Sequence, residues 1–140
     1  MKNLIFASFI LISSNIIAQN NIEVESSTEE KIPENTYSFN TVEKKPTLNG
    51  SEHGFLKFIF ENIKYPEKLK EKNITGIVYV SFTVSDEAKV KNIKILNSDH
   101  ELFSKEVIRL VNKSNKWEAG EQNGKKVNVT YDLPINFKLK

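Results

Sequence analysis

The chain has 140 residues, 39% of them hydrophobic and 27% charged, enough for one ordinary folded domain and a tail. Twenty Lys and Arg against 18 Asp and Glu leave a net charge of +2, too balanced for nucleic acid or an anionic membrane as the main partner, and the single Arg, Arg109, argues the same way. With no Cys in the sequence, disulfides, thiol catalysis, Cys-based zinc sites and a lipid-modified N-terminal Cys are excluded.

Met1, Lys2 and Asn3 form a short positive start, and residues 4–12 are an apolar run of nine residues broken only by Ser8. Ser13, Ser14 and Asn15 make the next stretch more polar, and Ala18 supplies a small residue at a cleavage position. This is the layout of a secretory signal peptide covering residues 1–18. Residues 4–18 fall short of the roughly 20 apolar residues that span a bilayer. Residues 19–48 read as a disordered acidic and polar tail, with six acids against three lysines and apolar residues scattered singly.

The folded part is expected over residues 49–140. Phe55, Leu56, Phe58, Ile59, Phe60 and Ile63 cluster at helical spacing, with Ser51 as a candidate N-cap. Tyr65-Pro66 stops that helix. Residues 67–72 predict a short second helix, terminated by Asn73. Val78, Val80, Phe82 and Val84 alternate with Tyr79, Ser81 and Thr83, which predicts a strand opened by Gly76. A turn over residues 85–89 leads to a second strand over residues 90–97, with Ile93 and Ile95 on one face. Ser98 and Glu101 have the spacing of a capping box. Phe103, Val107, Leu110 and Val111 then mark an amphipathic third helix ending near Ser114. Asn123-Gly124 predicts a tight turn. From Val127 to Leu139 every second residue is apolar, and Pro134 inside this last strand predicts a sheet edge there, because proline cannot donate to a ladder. The order α-α-β-β-α-β gives an α+β fold, a small antiparallel three-stranded sheet with helices packed on one face.

These segments resemble the C-terminal domain of the TonB family. The resemblance rests on Tyr65-Pro66, on residues 73–76 leading into residues 78–84, on residues 94–98, on residues 116–120 around Trp117, on residues 122–125, and on the closing residues 133–137. It covers residues 49–140. It implies a periplasmic domain that captures a short extended segment, the TonB box, of an outer-membrane transporter by adding it as a strand to a sheet edge. The implied edge is the last strand, with Lys126, Val127, Asn128, Val129, Thr130, Tyr131 and Asp132 as partner-binding residues, and Tyr65 and Pro66 as a second, loop contact. Residues 4–18 are short for the membrane anchor of a full energy transducer, and residues 19–48 lack a long Pro- and Lys-rich rod. The expectation is therefore the recognition end of a transducer, exported by a cleaved signal. Two other readings stay open: a protein that self-associates as a homodimer through the same edge, and a transducer anchored by an uncleaved N-terminal helix.

Other residues carry less. Trp117 reads as a core plug, and Tyr79 and Tyr131 as sheet packing. His53 and His100 each sit beside a helix start, without metal-ligand spacing. Asp86, Glu87, Glu101 and Asp132 form no acid–base pair, no nucleophile stands beside a base, and the five glycines make no phosphate loop. No catalytic residue, metal, cofactor or small-molecule substrate is expected.

Overall fold

Alternation in three segments builds the sheet, and a computed structural model of the protein describes residues 31–140 of it. The expected signal peptide and tail residues 19–30 lie outside the described residues. In chain order the elements are β1 (Thr36–Ser38), β2 (Thr47–Leu48), α1 (Gly54–Asn62), α2 (Glu67–Glu71), β3 (Gly76–Val84), β4 (Val90–Ser98), α3 (Glu101–Lys113), β5 (Trp117–Glu118), β6 (Gly120–Gln122) and β7 (Lys125–Phe137). The main sheet runs β1-β7-β3-β4, with β6 also paired to β7, and β2 pairs separately with β5. The fold is the expected α+β arrangement. Its sheet is larger than three strands, and β1 joins it in parallel.

One face of the sheet is the core. Val78, Val80, Phe82 and Val84 of β3, and Val127, Val129, Tyr131, Ile135 and Phe137 of β7, are buried on it. The stripe Phe103, Val107, Leu110 and Val111 brings α3 down on this face, and Phe55 and Ile59 do the same for α1. Trp117 is the core plug expected of it, ringed by Phe55, Phe82 and Tyr131, with its indole N–H donated to Ser114 Oγ at 3.0 Å. No helix among the described residues is long and apolar enough to cross a membrane.

Local details differ from expectation where side chains compete for backbone groups. His53, not Ser51, is the N-cap of α1, because Ser51 Oγ is taken by the His53 N–H at 3.2 Å in the preceding turn. His100, not Ser98, caps α3, its Nδ1 accepting the Leu102 N–H at 3.0 Å while Ser98 Oγ bonds His100 itself. The expected tail does not extend to residue 48. Four of its apolar residues find core positions: Val42 and Leu48 are 4% and 1% exposed, and Tyr37 and Phe39 pack against the cluster, whereas Ile32 stays exposed. Gly54 makes this closure feasible, since a Cβ there would lie 1.9 Å from the Leu48 carbonyl oxygen.

Candidate functional site

β7 has two sides, and Pro134 tells them apart. Antiparallel to β3, its residues pair from Gly76↔Phe137 through Tyr79↔Pro134 to Val84↔Val129. Odd-numbered residues of β7 make the ladder bonds to β3, because Pro134 has no N–H and falls in the alternate set. Backbone groups of Asn128, Thr130, Asp132, Pro134 and Asn136 therefore point to the outer side. Two of these five are engaged: Asn128 N–H donates to Asn35 O at 3.1 Å, and Thr130 O accepts from Phe39 N–H at 3.0 Å. Past Thr130, β1 has ended, and among the described residues no other segment pairs with this side of Asp132, Pro134 or Asn136. The sheet edge that Pro134 predicts is present, but it is the second half of the strand.

A cavity of about 480 Å³ opens beside this free edge. Tyr131, Leu133 and Pro134 line it from β7, Ser38 and Phe39 from the end of β1, and His53 and Leu56 from the start of α1. α1 runs alongside β7, since Phe55 meets Tyr131 and Tyr65, just after the helix, meets Phe137. Leu56, and Phe60 one turn on, are exposed at 57% and 82%, so the helix beside the edge presents apolar side chains to solvent. Charges sit at the rim: Lys45, Glu52 and Asp132. Phe39 packs tilted against Tyr131, ring centroids 4.5 Å apart, and lies 5.3 Å under the Lys45 ammonium. Burial, reinforced by the negative charge of Glu52, pushes the Tyr131 phenol far above its ordinary range, so it stays neutral, its hydroxyl 3.3 Å from Pro46 O.

The sequence-predicted site residues divide along β7. Lys126 and Val127 lie opposite Glu121 and Gly120 of β6. Asn128, Val129 and Thr130 lie opposite Thr36, Tyr37 and Ser38 of β1. Val127, Val129 and Tyr131 send their side chains into the core. Only Asp132 begins the open stretch. Tyr65 and Pro66 are outside the cavity lining; the Tyr65 ring stands edge-on to Phe103 and Phe137, and its hydroxyl donates to Ile74 O. Sequence reading missed the contributions of residues 36–39, of the α1 start, and of Leu133. The available signal for β1 was Tyr37 and Phe39, two aromatics at strand spacing in an otherwise polar stretch.

A second polar cluster is structural. Arg109 grips Glu106 with Nε and Nη2 at 2.8 and 2.6 Å, and Nη2 also donates to Asn62 O at 3.0 Å. Glu106 in turn accepts the Lys64 N–H at 2.7 Å, so the pair clamps the end of α1 to α3. Partial burial raises the Glu106 carboxyl, but the Arg109 and Lys64 bonds and charges outweigh it and hold the carboxyl below its ordinary value. Among the described residues, no group of three or more His, Cys, Asp or Glu is arranged to hold a metal ion.

The sequence pattern of the Gram-negative bacterial TonB protein C-terminal family matches residues 61–139. Among solved structures, the chain is similar to the Helicobacter pylori TonB C-terminal domain, at 22% identity, covering 66% of this chain and 87% of that one, with a TM-score of 0.51. It is also similar to the Pseudomonas aeruginosa TonB C-terminal domain, at 24% identity, covering 74% of this chain and 94% of that one, with a TM-score of 0.50. At these identities the likeness speaks for the fold. No curated protein sequence matches the chain.

Proposed function

The chain belongs to the TonB C-terminal family, and on that premise we propose that it is a periplasmic binding domain, not an enzyme, that recognises TonB-box-type segments of outer-membrane transporters by strand addition. One observation carries the reading: among the described residues nothing pairs with the outer side of β7 from Asp132 to Asn136, beside a cavity walled by apolar side chains of α1. An extended segment laid there gains main-chain hydrogen bonds from Asp132, Pro134 and Asn136 and a shallow apolar pocket at Leu56 and Leu133. The expected site thus shifts along the strand from residues 126–132 to residues 132–136. The whole arrangement suits recognition of a backbone better than that of a small molecule.

Titration of the isotope-labelled chain with TonB-box peptides tests this by NMR. Shifts centred on Asp132, Leu133, Asn136 and Leu56 are expected. Silence at millimolar peptide, or shifts confined to α3 and β4, would remove the proposal. Self-pairing through the same open edge is the second reading, and a stable dimer in sedimentation equilibrium with residues 132–136 protected from exchange would replace the first. N-terminal sequencing of the exported protein separates a cleaved signal from a retained anchor, and a chain beginning at Gln19 is the expected result.

A further inference from the structure

β1 occupies half of the edge to which a partner strand would add, and it is poorly held there. It is three residues long and pairs in parallel, the less stable of the two ladder geometries. The Thr36 hydroxyl is sealed from solvent with no hydrogen-bond partner among the described residues, which weakens its docking by the cost of desolvating an unpaired polar group. Residues 31–35 before it are all exposed, and among the described residues only Asn35 ties this side to β7, meeting Asn128 through both backbone and side chain. After Phe39 the chain turns away, with the Thr41 and Val42 N–H groups folding back on Ser38 O. Val42 is the first deeply buried residue, and Lys44 is next fixed, by its two backbone bonds to Glu121. Residues 31–41 therefore form an arm that can leave β7 while residues 42–48 stay docked.

We propose that β1 is a resident stand-in for the partner segment, an intramolecular gate that must leave before β7 is fully available. This rests on the reading of β7 as the recognition edge and adds the character of the partner. The partner it fits is an extended segment of another protein that runs parallel to β7, with polar or small residues opposite Asn128 and Thr130. At the Phe39 position it carries an aromatic or large aliphatic side chain, seated on Tyr131. Such a segment outcompetes β1 by length. The arm turns off at Asn40, whereas a segment that continues straight also pairs with the outer groups of Asp132 and Asn136. Tethering raises the effective concentration of β1 at the edge, so a short partner loses to it and a longer one wins.

The probe is a synthetic peptide of this chain's own residues 34–40, titrated into the labelled full chain. Phe39→Ala removes the contact of Phe39 with Tyr131, one of the two rings (with Tyr37) that hold the arm, and leaves β7 intact. Raising the released fraction from about 1% to about 10% lowers the apparent Kd about tenfold, so the variant should bind the peptide about tenfold more tightly than the native chain. A chain carrying Ser38→Cys and Thr130→Cys, which face each other in the β1–β7 register, should bind no peptide when oxidised and recover binding on reduction. The sequence has no other Cys to confuse the result. Equal affinity for native, Phe39→Ala and oxidised chains overturns the gate, and so does a dimer in which two copies exchange β1. If the peptide binds the released chain and TonB-box peptides bind neither form, the gate stands and the proposed partner falls.

Discussion

On its inner side β7 runs antiparallel to β3 through nine register pairs, from Gly76↔Phe137 to Val84↔Val129, while on its outer side it meets β1 through three. Alternate pairs of the inner ladder face the core, where they are backed by buried Val, Phe and Tyr side chains. The outer pairing is backed by two half-buried rings, Tyr37 and Phe39, and by the Asn35–Asn128 bonds, and beyond Thr130 it stops. One strand thus carries both a folding interface and an exchangeable one. What separates them is apolar area behind the ladder rather than the number of hydrogen bonds in it, since backbone bonds contribute modestly once exchange with water is counted.

The largest effect tests whether the inner side is the global unit. Phe82 is fully buried, stacks on Tyr131 at 4.9 Å and touches Phe55 and Trp117. Phe82→Ala should cost about 3–5 kcal/mol, read as a lower urea midpoint. Amides on both sides of β7 should lose protection together. Loss limited to β1 would break the comparison, because it would make the inner ladder independent of its core.

Gly54→Ala comes next. The added Cβ meets backbone at 1.9 Å, and backbone cannot step aside as a flexible side chain can. A cost of about 3 kcal/mol is expected, the upper end for overpacking. The start of α1 should move away from β2, and the cavity wall at His53 and Leu56 with it. A crystal structure of the variant with an unchanged α1 start would contradict this.

The Glu106–Arg109 clamp bonds α3 to the end of α1, with none of its hydrogen bonds made to β1, and should leave the outer side alone. The Glu106 carboxyl is held below its ordinary value of 4.5 in the folded state, so its contribution is complete above that value and is lost as pH falls through the folded value. Glu106→Gln should cost about 1.5 kcal/mol at neutral pH, the low end for a charged hydrogen bond because Arg109 is about a third exposed. It should also flatten the acid limb of stability below pH 4.5, measured by denaturation across pH. The Phe39 amide should exchange as in the native chain.

How legible the two sides were in sequence follows the same division. β3, α3 and β7 were readable because their side chains alternate or recur at helical period over nine to thirteen residues and burial enforces the pattern, while β4, with no fully buried residue, was readable from Ile93 and Ile95 alone. Pro134 announced an open edge correctly. β1 was hidden because a strand of three residues, with Tyr37 in it and Phe39 just after it half-buried, leaves almost no periodicity, and residues 36–48 reach the core by isolated contacts such as Val42 and Leu48. The helix caps were misassigned because His100 Nδ1 took the acceptor role expected of Ser98. The free half of β7 could not be distinguished from the covered half, since only β1, far away in sequence, decides where cover ends.

The smallest predicted effect sharpens the comparison most directly. Thr36→Val replaces a sealed, unpartnered hydroxyl with a methyl group of similar size and removes the desolvation penalty without adding a contact. If β1 is docked but weakly held, the substitution should strengthen docking by about 1 kcal/mol, roughly a fivefold slowing of exchange at the Phe39 amide that bonds Thr130 O. Amides between β3 and β7 should not change, because they open only with the whole fold. Exchange at Phe39 that is no slower than in the native chain would mean that docking of residues 36–38 does not limit access to the outer side, and that the two sides of β7 differ in length alone.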